Sequence, residues 1–167
     1  MKKLILVAAL VALSAGTAQA ATGNSASTIG IANASVVTSL KITHTLGASL
    51  AFGSFSAGTG GTIVVNQAGA GSVTGDVGLM SNSSNGADGF TVTGDTTRTF
   101  TVTTSTGNTV TTGGTTPSTM PFAVSAPATA TLVAGTYALK IGGTLTVANA
   151  QAAGAYTGTY TVTITYQ

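Results

Sequence analysis

The chain has 167 residues, with five lysines and arginines, three aspartates and no glutamate or cysteine. Beyond residue 20, three cations balance the three aspartates, so this part of the chain carries no net side-chain charge. Nucleic-acid binding needs clustered cations and thiol chemistry needs cysteine, so the composition counts against both.

The first twenty residues have the pattern of a secretory signal peptide. Lys2 and Lys3 precede an apolar run over residues 4–13, and small residues at Ala18 and Ala20 provide a cleavage site. We therefore expect a chain that begins at Ala21 and is exported through the periplasm. The apolar run is too short to span a bilayer, and we expect a protein that is not integral to the membrane.

Residues 21–36 are small and polar apart from Ile29 and Ile31, which predicts an N-terminal extension. Residues 37–167 are expected to form one β domain. Short alternations of apolar and polar residues predict strands at 40–42, 63–65, 90–92, 100–102, 122–124, 137–141 and 145–147. Glycine-rich or polar breaks separate them at 58–61, 81–89, 113–114 and 142–143. Residues 147–153 are predicted to form a loop or one turn.

The longest alternation lies at the C-terminus. From Tyr156 to Tyr166 every odd position is threonine, and the even positions are apolar or aromatic apart from Gly158. This period of two predicts a half-buried strand with one face toward the core. Short strands with turn signals about every ten residues predict an all-β, immunoglobulin-like antiparallel sandwich.

Residues for catalysis or metal binding are scarce. His44 lacks a G-x-S-x-G partner motif, and one histidine with three scattered aspartates is too few for a zinc site. The three aspartates, Asp76, Asp88 and Asp95, lie near glycines and read as ordinary turn residues. Residues 81–89 read as a solvated turn rather than a Ca²⁺ site. We expect no enzymatic activity, no cofactor and no metal.

The end of the chain resembles the chaperone-recognition strand of chaperone-usher pilins. Gly154 is the fourteenth residue from the C-terminus, Tyr166 is penultimate, and Tyr156, Tyr160, Val162 and Ile164 alternate between them. The resemblance implies a sandwich lacking its last strand, which a periplasmic chaperone and then the extension of the next subunit would complete. It also implies an outer-membrane usher and, as partners, other copies or sister pilins.

A wider pattern resembles domain-of-unknown-function family 4402, which is similar to spore-coat-U-like and archaic pilins. The matching segments are residues 50–55, 120–122, 142–145 and 156–160, the last leading into the C-terminal strand. From the first segment to the last, they span most of the chain after the signal peptide.

The resemblance implies a structural subunit of a bacterial surface fibre that acts in adhesion or biofilm formation. The candidate donor residues are Ile29, Ile31 and Val37, and the candidate groove strand runs from Gly154 to Tyr166. Two alternatives remain open: the C-terminal strand belongs to a complete sandwich, or the protein is a self-contained secreted module that binds carbohydrate or a host ligand.

Overall fold

The computed structural model describes residue 23 and residues 27–167, and the chain divides into two units between Ser35 and Val36. The predicted signal peptide and its cleavage boundary at Ala21 lie outside the described residues. The described part of the first unit contains no strand, and Ile29 and Ile31 are almost fully exposed.

The second unit is built from antiparallel strands, which confirms the predicted all-β architecture. The described residues contain no helix that is long and apolar enough to cross a membrane. The strands are β1 (Lys41–His44), β2 (Phe55–Ser56), β3 (Gly61–Val65), β4 (Gly71–Gly75), β5 (Gly78–Leu79), β6 (Asp88–Thr93), β7 (Thr99–Thr104), β8 (Asn108–Thr112), β9 (Thr119–Ser125), β10 (Thr129–Thr131), β11 (Thr136–Val147), β12 (Tyr156–Thr157) and β13 (Val162–Tyr166).

The strands form one large sheet and two small ones. The large sheet has the order β1-β6-β11-β9-β8-β12, with β3 on the other edge of β11 and β4 beside β3. A second sheet has the order β10-β7-β13, and β2 pairs with β5. As a result β1 and β13 are both edge strands, each paired on one side only.

Strand β11 organises the large sheet because it pairs with three other strands. Its first half pairs with β6, and its second half lies between β3 and β9. The predicted break at Gly142 and Gly143 is wrong, since β11 runs through both residues. A Cβ at Gly142 would strike the carbonyl oxygen of Val65, so glycine here permits close approach of β3 rather than a turn.

Two apolar clusters form the core. The first cluster lies on the second half of β11 and its neighbours, and its buried members are Phe52, Ile63, Val65, Val77, Met120, Phe122, Leu145 and Val147. The second cluster consists of Val92, Phe100, Val102, Leu132, Leu139 and Ile141. Both the large sheet and the β10-β7-β13 sheet contribute to the second cluster, so these sheets face each other as in a sandwich.

The C-terminal alternation is preserved, but it does not form one strand. Tyr156 and Thr157 pair with β8 in the large sheet, whereas β13 pairs with β7 in the facing sheet. Residues 158–161 carry the chain from one sheet to the other. The prediction of a continuous strand is therefore wrong, although the odd-numbered threonines are all exposed as expected.

Candidate functional site

The second unit contains an open cleft of about 1070 Å³. Residues 48–57 form its first wall and residues 151–160 its second wall. Apolar side chains line its floor: Phe90, Val110, Met120, Phe122 and Leu145. Its volume lies slightly above the range for small-molecule pockets, which is about 300–1000 Å³.

Hydrogen bonds to residues 83–86 hold the first wall in place. Ala51 exchanges two backbone hydrogen bonds with Gly86, and the carbonyl of Phe52 accepts a 2.7 Å hydrogen bond from the Asn85 side chain. The Ser83 hydroxyl accepts a hydrogen bond from the Ser54 amide. These bonds fix the wall from its outer side and leave Phe52 packed on the first apolar cluster.

The second wall is fixed differently. The hydroxyl of Tyr156 donates to the carbonyl of Ala152 at 2.7 Å and accepts from the Gln151 amide at 2.9 Å. A Cβ at Gly158 would strike the carbonyl oxygen of Thr109, so glycine lets the wall lie flat against β8.

At one end the two walls meet, because the Ala150 amide, next to the second wall, donates to the carbonyl of Gly58, next to the first wall, at 3.3 Å. Among the described residues, no backbone hydrogen bond links residues 48–57 to residues 151–160, and none links β1 to β13. Beyond the cleft, the hydroxyl of Tyr166 donates to the carbonyl of Thr38 at 2.9 Å and so brings the two edges together at that end. The cleft therefore lies between two polypeptide edges that approach each other at both ends.

A model of the family described as "Domain of unknown function (DUF4402)" matches residues 40–166. The chain belongs to the DUF4402 family. No curated protein and no solved structure matches the chain. The match spans both walls of the cleft and both apolar clusters of this DUF4402 domain, and it begins after the extension.

The polar part of the cleft is a group of three side chains, which we call the Asp88 cluster: Asp88, His44 and Tyr160. Asp88 is only 5% exposed, and its Oδ1 accepts a 2.7 Å hydrogen bond from His44 Nε2 and a 2.8 Å bond from the Gly89 amide. Its Oδ2 accepts a 2.6 Å bond from the Tyr160 hydroxyl. The carboxylate is thus satisfied by three donors.

The surroundings of Tyr160 affect its titration. Its ring lies edge-on to Phe90 and to Phe122, with centroids 6.5 and 6.3 Å away. Burial, and then the hydrogen bond to Asp88 and the charge of that carboxylate, raise the pKa of the Tyr160 hydroxyl well above its ordinary value. Tyr160 therefore remains a neutral hydrogen-bond donor to Asp88.

The interpretation of Asp88 as an ordinary turn residue is wrong. Asp88 begins β6 beside His44, which ends β1, and the two side chains meet because β1 pairs with β6. The other two aspartates do lie in turns: Asp76 accepts from the Thr59 amide, and Asp95 pairs with Arg98. Local sequence alone does not distinguish the three.

The cleft brings some of the predicted groove residues together. Gly154, Tyr156 and Tyr160 line it, whereas Val162, Ile164 and Tyr166 pack on the second apolar cluster along β13. Among the candidate donor residues, Ile29 and Ile31 are 95% and 90% exposed and Val37 is 36% exposed. Neither the role of the first wall nor that of Asp88 was predicted from the sequence.

Proposed function

We propose that this DUF4402 chain is a structural subunit of a surface fibre, in which an extended segment of one copy fills the cleft of the next. The observation that carries the proposal is the open cleft whose two walls, residues 48–57 and residues 151–160, share no backbone hydrogen bond. An added strand would satisfy the free backbone groups of both edges and cover the apolar floor at once.

The edge of β13 supports the proposal independently. Val162, Ile164 and Tyr166 are only partly buried, although they belong to the second apolar cluster. On the facing edge, Leu40 and Ile42 are partly buried as well. A strand inserted between β13 and β1 would cover these five side chains, which a complete sandwich would already have covered.

Residues 29–37, which continue from the extension into the first residues of the second unit, have properties that suit a donor. Ile29, Ile31 and Val37 lie on one parity, so an extended conformation places them on one face. Burying three such side chains contributes about 5 to 9 kcal/mol before the cost of ordering the segment. An extended segment of residues 29–37 is about 30 Å long.

Further parts of the proposal rest on the pilin resemblance. We infer export through the periplasm, assembly with a periplasmic chaperone and an outer-membrane usher, and a non-catalytic role in adhesion or biofilm formation.

The test compares two substitutions in adjacent residues of the extension. Ile31→Asp places a charge on the face that would enter the cleft, whereas Ala32→Asp places the same charge on the opposite face. We expect Ile31→Asp to prevent polymer formation, as seen by electron microscopy of the surface fraction, and Ala32→Asp to leave it unchanged. Normal polymers with Ile31→Asp would overturn the proposal.

Circular dichroism of both variants serves as the folding control. If Ile31→Asp unfolds the domain, the extension completes its own sandwich, and the self-contained binding module becomes the better account. If the variant is folded but does not polymerise, the side chain acts in another copy.

A further inference from the structure

Apolar and polar surfaces follow one another along the cleft and β13. The first apolar cluster lies at one end and the second apolar cluster at the other. The Asp88 cluster lies between them, and Tyr160 packs against both apolar clusters. A strand that runs along residues 156–164 would therefore meet apolar, polar and again apolar surroundings.

Residues 29–37 have the same order of apolar and polar side chains. On the parity that carries the donor candidates, Ile29 and Ile31 come first, Asn33 and Ser35 follow, and Val37 comes last. On the opposite parity, residues 30, 32 and 34 are glycine and alanine, and the exposed Val36 follows them. The polar interruption, which weakens the pattern as a purely apolar strand, corresponds to the polar section of the cleft.

We propose that Asn33 of one copy enters the cleft of a second copy and hydrogen-bonds to its Asp88 cluster, which fixes the register of the inserted segment. The inference rests on the proposed function, because it names the contact that aligns the donor. Asn33 is four residues from both Ile29 and Val37, and Tyr160 is four residues from both Tyr156 and Ile164. A donor whose residues 29 and 37 lie beside Tyr156 and Ile164 therefore sets Asn33 beside Tyr160 in either direction.

The chemistry of the amide suits this position. An asparagine side chain both donates and accepts, so its NH₂ can bond to the oxygen of Tyr160 or to Oδ2 of Asp88. The NH₂ can also donate to Nδ1 of His44, whose side chain is 49% exposed and whose Nε2–H is already bonded to Asp88. A leucine in this place would remove water from the polar groups and offer no partner.

The same arrangement makes other registers of the inserted segment less favourable. A shift of one residue turns the glycine and the alanines, together with Val36, toward the cleft and the isoleucines toward solvent. A shift of two residues sets either Ile31 or Ser35 against the Asp88 cluster. Ile31 has no polar group to offer there, and a serine hydroxyl is shorter than the Asn33 amide.

The experiment measures binding of a fluorescent peptide of residues 27–38 to the full chain by anisotropy. The acceptor carries Ile31→Asp, so that its clefts are not filled by neighbouring extensions. We expect the Asn33→Leu peptide to bind about tenfold more weakly than the native peptide, as for one lost hydrogen bond to a charged group. The matched control is Ser35→Leu, which makes the same change two residues away and should not weaken binding.

A second acceptor variant links the effect to the cluster. With Tyr160→Phe added to the acceptor, the difference between the native and Asn33→Leu peptides should fall to less than about threefold, because the two groups act together. If circular dichroism shows that Tyr160→Phe does not fold, His44→Gln replaces it.

The outcomes separate the two proposals. If the native peptide binds and Asn33→Leu binds equally or more tightly, the register contact is overturned while the proposed function stands. If the penalty is unchanged in the Tyr160→Phe or His44→Gln acceptor, Asn33 does not contact the cluster and the inference is again overturned. If the native peptide does not bind at all, the proposed function and the inference both fail.

Discussion

Replacing Asp88 by asparagine tests the Asp88 cluster without changing the size of the side chain. The carboxylate accepts three hydrogen bonds, from His44, the Gly89 amide and Tyr160, while almost fully buried. A hydrogen bond to a charged group contributes about 1.5–3 kcal/mol, and one between neutral groups about 0.5–1.5 kcal/mol. Asparagine keeps the Oδ1 partners and reverses the bond to Tyr160, so three bonds are weakened by about 1 kcal/mol each.

Removing a buried charge also removes part of its desolvation cost, which offsets some of this loss. We therefore expect Asp88→Asn to lower the free energy of unfolding by about 2 kcal/mol, measured by urea denaturation followed by circular dichroism. The matched control is Asp76→Asn, whose carboxylate is exposed and bonds only to the Thr59 amide. That control should change stability by less than about 1 kcal/mol.

The same variant has a second readout in the titration of Tyr160. Because its pKa is raised in the folded state, the Tyr160 hydroxyl favours folding below the ordinary tyrosine pKa of about 10. Stability contributed by this group falls as the pH rises above that value, since the unfolded chain then loses its proton first. Absorbance titration at alkaline pH should show one tyrosine of four that ionises last.

In Asp88→Asn, two of the three causes of the raised pKa are removed, so this last tyrosine should ionise at a lower pH. The reasoning is refuted if Asp88→Asn has the stability of the native chain and the same tyrosine titration curve.

Three further predictions concern the core, the close approach of strands and the N-terminus. Val162→Asp should abolish folding, because it places an unpaired charge on the second apolar cluster, while Thr163→Lys on the exposed face should be tolerated; circular dichroism distinguishes them. Gly142→Ala should lower the free energy of unfolding by about 1–3 kcal/mol in urea denaturation, since its Cβ would strike the Val65 carbonyl. N-terminal sequencing of exported material should start at Ala21, and retention of residue 1 would contradict the signal peptide.

The architecture could be predicted where it depends on residues close together in the sequence. The alternation of threonine with apolar residues from Tyr156 to Tyr166 gave the buried face correctly, because side-chain direction depends only on parity. The transfer between sheets at residues 158–161 was not predictable, since the parity continues while the pairing partner changes from β8 to β7.

Glycine was the main source of error in the strands. A glycine pair commonly signals a turn, and the sequence does not distinguish that use from close packing between strands. At Gly142 and Gly143 the second use applies, and it depends on β3 and β9, which lie far away in the sequence.

The candidate site was predictable only in part. Tyr156 and Tyr160 were identified from the C-terminal pattern, but Asp88 was not, because its burial depends on partners 44 and 72 residues away along the chain. The one local signal was that His44 and Asp88 each adjoin an apolar alternation. Without the pairing of β1 and β6, that signal does not bring them together.

The most direct measurement is the structure of the assembled surface material by electron cryomicroscopy. The account predicts that residues 29–37 of one copy lie extended along residues 156–164 of the next copy, with Asn33 beside Tyr160. A cleft that is empty, or that holds the extension of its own chain, would contradict it.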